Sequence, residues 1–210
     1  MSDASARIRI LAVDDHALVR EGIAVLVETQ PDMTLVCEAS TGREAIQQFR
    51  TYRPDITLMD LQMPEMNGLD AIVAIRGEFP DAKIVVLTTY KGDVQIVRAL
   101  KAGAHAYLLK TTFHKELVQT IRAVHAGKRT LSSEASYEIA EHATDDTLTP
   151  AEISVLRLIA AGNANKQIAD QLSIAEETVK SRVKSILSKL GANDRTHAVM
   201  IGIKRGIIEL

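Results

Sequence analysis

Five short apolar runs, each followed by a stretch with helical spacing, organise the first 126 residues of this 210-residue chain. The runs lie at about 8–13, 33–39, 56–60, 83–88 and 106–109; the helical stretches lie near 16–29, 42–52, 68–79, 92–102 and 113–126. Short runs rich in β-branched residues read as buried strands. Strands that alternate with helices predict an α/β fold, a doubly wound parallel sheet with helices on both faces. Pro31, Pro54 and Pro80 each precede a strand, where a helix cannot continue. Thr41-Gly42-Arg43-Glu44 and Thr112 read as helix starts, and Gly103 and Gly127 as helix stops.

The strand ends carry the chemistry. Asp14 and Asp15 follow the first run, Asp60 ends the third, Thr88 the fourth, and Lys110 follows the fifth. Open α/β sheets bind ligands at the carboxyl ends of their strands. In a sheet of order 2-1-3-4-5, strands one and three flank the switch point, so these side chains would converge. Carboxylates packed together repel, and a hard divalent cation such as Mg2+ relieves them. Asp60 would then be a nucleophile toward phosphorus, with Thr88 and Lys110 serving the phosphoryl oxygens. Singly, each residue has a plainer reading: Asp15 as a helix N-cap, Lys110 as a solvated strand-end lysine.

Val13-Asp14-Asp15-His16, Met59-Asp60-Leu61-Gln62-Met63-Pro64-Glu65-Met66-Asn67-Gly68, Val86-Leu87-Thr88-Thr89 and Tyr107-Leu108-Leu109-Lys110 together resemble the receiver domain of two-component response regulators. The likeness implies a flavodoxin-like five-stranded sheet and Asp60 as phosphoacceptor. It further implies Asp14, Asp15, Asp60 and the backbone carbonyl of Gln62 around Mg2+, with Thr88 and Tyr107 as a switch pair. Gln62 and Tyr90 would influence the lifetime of the phosphoryl group. Lys110 is followed by Thr111 where many receivers have proline.

From residue 148 no strand pattern appears, only helical segments at about 150–161, 165–172, 175–190 and 195–205. Thr149-Pro150-Ala151-Glu152 reads as a capping box with proline at the first helical position. A short helix, a tight turn at Ser173-Ile174-Ala175 and a longer helix form a helix-turn-helix pattern. At about 100° per residue, Val179, Val183, Ile186, Leu187 and Leu190 share the core face of the longer helix. Ser181, Lys184, Ser185 and Ser188 lie opposite, flanked by Lys180 and by Arg182 and Lys189. Residues 147–210 hold nine Lys/Arg against six Asp/Glu, a net +3, while the remainder carries 16 against 21, a net −5. A basic terminal part points weakly to nucleic acid.

Leu148-Thr149-Pro150-Ala151-Glu152, Asn165-Lys166-Gln167-Ile168-Ala169, Glu177 through Lys184 and Leu187-Ser188-Lys189-Leu190-Gly191-Ala192 resemble the LuxR-type DNA-binding domain. With the receiver, the chain is similar to NarL/FixJ-family transcriptional response regulators. By that resemblance Lys166, Thr178, Lys180, Ser181, Arg182 and Lys184 contact double-stranded DNA. The last helix, with Ala198, Val199, Ile201 and Ile203, serves dimerisation; the alternative is that it only completes the domain's core.

The expected organisation is a receiver over 7–127, a partly helical linker over 128–146 and a DNA-binding domain over 147–210. The expected partners are a sensor histidine kinase, promoter DNA, a second copy when phosphorylated or DNA-bound, and RNA polymerase. No activity beyond acquiring and losing a phosphoryl group at Asp60 is expected. Phosphorylation would shift an equilibrium in which the two domains mask each other. The rivals are a regulator independent of phosphorylation and an aspartyl-phosphate phosphohydrolase. The hydrolase would want a second Asp two residues after the nucleophile, where this chain has Gln62. No run reaches the ~18–20 apolar residues of a membrane span. The single Cys37 reads as a small buried hydrophobe in a cytoplasmic protein.

Overall fold

The computed structural model describes residues 7–89, 92–143 and 145–208. Their contacts fall into two compact units: residues 7–89 with 96–136, and residues 92–95 with 137–208.

The first unit is built on β1 (Ile8–Val13), α1 (Ala17–Glu28), β2 (Met33–Ala39), α2 (Gly42–Tyr52), β3 (Ile56–Met59) and α3 (Gly68–Glu78). It continues through β4 (Ile84–Thr88), most of α4 (Asp93–Ala102), β5 (Ala106–Leu109) and α5 (Phe113–His125) to a short β6 (Thr130–Leu131). The strands run parallel in the order β2-β1-β3-β4-β5-β6. The first five places follow the order 2-1-3-4-5 expected from the receiver likeness. The sixth strand is an addition within the stretch read as linker: Thr130 pairs with Ala106 and Leu131 with Tyr107.

Strand alternation explains the core. Ile8, Ile10, Ala12, Ile56, Leu58, Val85, Leu87, Ala106 and Leu108 face one side, against Ile23 and Val27 of α1 and Leu117, Ile121 and Val124 of α5. The intervening residues Leu11, Val13, Met59, Val86 and Leu109 are buried as well, because helices cover both faces of the sheet. Strand β2, at the edge, is only half-buried. There Cys37 is a free, half-buried thiol whose pKa burial pushes up to about 11.

Helix starts follow local chemistry. Thr41 accepts from the Glu44 amide at the head of α2, and Asn67 from the Asp70 amide at the head of α3. The Lys110–Thr111 peptide is trans.

The second unit holds most of α6 (Ser133–Glu141), then α7 (Pro150–Ala160), α8 (Asn165–Leu172), α9 (Glu176–Leu190) and α10 (Arg195–Lys204). Thr149 and Glu152 form the expected capping box. Ser173, at φ 52°, turns the chain between α8 and α9, and Gly191, at φ 60°, ends α9. Val155, Leu156, Ile159, Ile168, Val179, Ile186, Leu190 and Ala198 make the core of this unit. Among the described residues no helix is long and apolar enough to cross a membrane.

Candidate functional site: an acidic pocket and a basic helix

Strands β1 and β3 are neighbours, with Val13 opposite Met59, so the residues that follow them emerge side by side. The Asp60 amide donates to the Val13 carbonyl over 2.9 Å, and the Asp14 amide to the Ala39 carbonyl over 3.1 Å. Both carboxylates are buried, Asp14 at 1% and Asp60 at 2% exposure. Lys110 leaves β5 with its amide bonded to the Thr88 carbonyl, and its Nζ lies 2.6 Å from Asp14 Oδ2 and 2.7 Å from Asp60 Oδ2. The Gln62 amide donates to Asp60 Oδ1 over 3.2 Å. Thr88 is buried at the end of β4, and Tyr107 is fully buried in β5. Asp14, Asp60, Thr88, Tyr107 and Lys110, from four neighbouring strands, thus share one sheet edge or the strands that form it.

The electrostatics follow from this crowding. Burial pushes the Asp60 carboxyl above the usual carboxylate range, with Lys110 pulling against it and Asp14 adding to it. Burial works against the Lys110 charge, yet Asp14 and Asp60 together hold its pKa above the ordinary lysine value. Burial, reinforced by the Asp60 charge, raises the Tyr107 hydroxyl well above its usual range. Asp14 Oδ2 is buried against the Lys110 ammonium, 2.6 Å away. Two buried carboxylates with a third beside them, all oxygen donors at one sheet edge, fit a divalent cation. Donor atoms of Asp14, Asp15, His16 and Asp60 all lie within 4.8 Å of one another.

Asp15 is not the cap of α1. That position belongs to His16, which makes no side-chain cap bond, while Asp15 Oδ1 lies 2.7 Å from the His16 ring. Tyr90 lies outside the described residues.

In the second unit, Lys166 of α8 and Thr178, Lys180, Ser181 and Lys184 of α9 are exposed, with Arg182 half-buried. This is a turn-linked helix pair presenting one basic, hydroxyl-bearing helix face, the form that enters a major groove.

Two family models match: the response regulator receiver domain over residues 10–122 and the bacterial regulatory proteins of the luxR family over residues 146–201. The chain belongs to the NarL/FixJ-type response regulators. It is 42% identical over 210 residues to the transcriptional regulatory protein YdfI of Bacillus subtilis, covering 96% of this chain and 98% of that one. It is 37% identical over 207 residues to the response regulator VraR of Staphylococcus aureus, covering 96% and 99%. A solved structure of RcsB from Salmonella enterica serovar Typhimurium, bound to promoter DNA with the phosphomimetic BeF3−, superposes with a TM-score of 0.75. That match is 26% identical and covers 93% of this chain and 97% of RcsB. This response regulator is therefore a DNA-binding transcriptional regulator with a receiver.

Its structure also redraws the helix face inferred from angular spacing. Ser185 Oγ donates to Glu152 Oε1 over 2.6 Å, and Lys189 Nζ to Glu152 Oε2 over 2.8 Å. Both side chains therefore fasten α9 to α7 within the regulator, leaving Ser181, Lys184 and Ser188 as the exposed stripe. Glu152 was legible in the sequence only as a cap; its reach to α9 depends on tertiary packing. In α10, Ala198 is buried, and Val199, Ile201 and Ile203 pack partly buried against the same core, whereas Met200 is 65% exposed.

Proposed function

We propose that this regulator is switched by phosphorylation of Asp60 and that the phosphorylated form occupies promoter DNA. The supporting observation is the partly buried Lys110 ammonium within 2.7 Å of both Asp14 and Asp60 at the sheet's carboxyl edge. A carboxylate oxygen of Asp60 attacks the phosphorus of a phosphohistidine on a sensor histidine kinase. The P–N bond breaks, the imidazole leaves, and Asp60 becomes an acyl phosphate. Lys110 faces the charge on the transferred group, and Thr88 offers its hydroxyl to a phosphoryl oxygen. Tyr107 follows Thr88 as the aromatic half of the switch. Asp14, Asp15, Asp60 and the Gln62 carbonyl hold Mg2+, which supplies further neutralisation of phosphoryl charge when bound.

The receiver spans 7–127, and 147–210 form the DNA-binding domain. Lys166, Thr178, Lys180, Ser181, Arg182 and Lys184 contact double-stranded DNA, with two copies on paired half-sites. Ala198, Val199, Ile201 and Ile203 would shape the α10 surface between copies from within, and RNA polymerase is the downstream partner. The setting is the cytoplasm.

Incubation with acetyl phosphate and Mg2+, followed by intact-mass measurement, tests the switch. The wild type gains one phosphoryl and binds promoter DNA more tightly; Asp60→Asn gains none and its binding does not respond. Equal DNA binding by both proteins, with and without donor, would overturn the reading. A second measurement addresses the helix. Lys184→Ala weakens binding to operator and unrelated duplex alike and lowers the slope of log K against log salt by about 1. An unchanged slope would remove Lys184 from the interface.

A further inference from the structure

We propose that His16 is itself a ligand of the divalent cation taken up by the acidic pocket, and that its imidazole shifts the site's preference from Mg2+ toward first-row transition cations. The inference rests on the reading of that pocket as a metal site.

Three observations carry it. The ring is aimed inward: His16 Nδ1 lies 2.7 Å from Asp15 Oδ1 and 3.3 Å from Asp14 Oδ1. With Asp60 added, the four donor atoms fall within 4.8 Å of one another. One cation at roughly 2.1 Å from each donor sets the donors about 3.0–4.2 Å apart, a spread these four atoms reach with small side-chain adjustments.

The backbone delivers the ring there. The His16 amide donates to Asp14 Oδ1 over 3.0 Å, and its carbonyl accepts the first bonds of α1, from Val19 over 3.1 Å and Arg20 over 3.3 Å. His16 therefore tracks Asp14 through any small adjustment of the pocket.

The side chain also has no competing structural task. It makes no cap bond, and at 68% exposure it fills no core. An exposed ring can give up its Asp15 contact for a cation at little cost to packing.

The chemistry then sets the direction. Mg2+ takes oxygen donors and keeps several waters, so a nitrogen adds little to its binding. Imidazole suits borderline first-row ions, for which a nitrogen beside carboxylates adds affinity. Three carboxylates alone would favour hard cations; three carboxylates with an imidazole broaden the choice.

Mn2+ serves as the probe, because its unpaired electrons report bound nitrogen directly. Untagged full-length protein is titrated with Mn2+, free Mn2+ is counted by electron paramagnetic resonance, and Mg2+ is measured by competition. Spin-echo spectra of the bound ion are recorded for wild type, His16→Ala and Asp15→Ala. The expected result is a nitrogen modulation in wild type that disappears in His16→Ala, with Mn2+ affinity falling severalfold and Mg2+ affinity changing less. Asp15→Ala should remove the same signal by weakening the site. Tight Mn2+ binding without nitrogen modulation, or equal losses for both cations in His16→Ala, overturns the role of His16 while leaving the acidic pocket a metal site. A nitrogen signal that survives either substitution assigns the ligand elsewhere and overturns it too. Failure of wild type to bind either cation would sink the metal reading and this inference together.

Discussion

Gly68→Ala will destabilise the receiver by about 3 kcal/mol or more and abolish phosphoryl uptake. Gly68 opens α3 directly behind Asp60, its amide bonded to the Leu61 carbonyl over 3.0 Å. A methyl group there would overlap the Asp60 carbonyl and the Leu61 Cα, all main-chain atoms. Asp60 cannot retreat easily, because its own amide is tied to Val13 and its carboxylate to Lys110 and Gln62. Relief must come from moving Asp60 or unwinding the head of α3. Gly77, in the same helix, has no atom within 4 Å of the corresponding position. Gly77→Ala will therefore stabilise slightly, since even in the last turn of α3 glycine is less favourable than alanine. Calorimetry of the two variants, with the transition falling by roughly 10 °C in the first and rising slightly in the second, checks the contrast. A Gly68→Ala protein as stable and as readily phosphorylated as wild type would show that the close approach is no constraint.

The second large effect belongs to Glu152. Its carboxylate, 6% exposed, accepts from the Thr149 amide and hydroxyl, from Ser185 Oγ and from Lys189 Nζ. Burial works against the charge, but Lys189, Ser185 and Thr149 outweigh it and hold the pKa down at about 2, from an ordinary 4.5. A carboxyl depressed on folding contributes stability that is fully present above about 4.5 and is lost as pH falls through about 2. After discounting for the part-exposed lysine, the contribution is on the order of 2 kcal/mol. Glu152→Gln will lose that amount at pH 7 and will flatten the decline in stability between pH 5 and 2. Two of the four donors sit on α9, so the variant will also bind promoter DNA several-fold more weakly. Denaturant unfolding at pH 7 and 3, beside a DNA titration at pH 7, decides it. A glutamine variant with the parent's stability at both pH values would make the carboxylate dispensable.

Where local chemistry dictated structure, sequence reading succeeded. Strands β1, β2 and β5 lie where the apolar runs end, because turn residues and prolines bracket them. The capping box at Thr149 and Glu152 needed only four adjacent residues. Asp14, Asp60 and Lys110 converge because each sits at the carboxyl end of a strand, and parallel topology puts those ends together. What escaped depended on partners distant in sequence. Strand β6 has two residues, too few for any periodicity, and exists because β5 offers it an open edge. Ser185 and Lys189 looked solvent-facing by angle alone; only the packing of α7 beside α9 supplies the carboxylate that claims them. His16 begins helix α1, and the turn that starts the helix also swings its ring against Asp15, a placement no local spacing reveals.

The two-residue strand β6 has a mechanical consequence. Leu131 pairs with Tyr107, the Ser132 amide donates to the Tyr107 carbonyl over 3.3 Å, and Ser132 Oγ accepts from the Ala135 amide at the start of α6. The chain leaving the receiver is thus stitched, without slack, to the strand that carries Tyr107 and runs on to Lys110. A sub-ångström slide of that strand would be handed on as a tug at the root of the next helix rather than dissipated in loose tether.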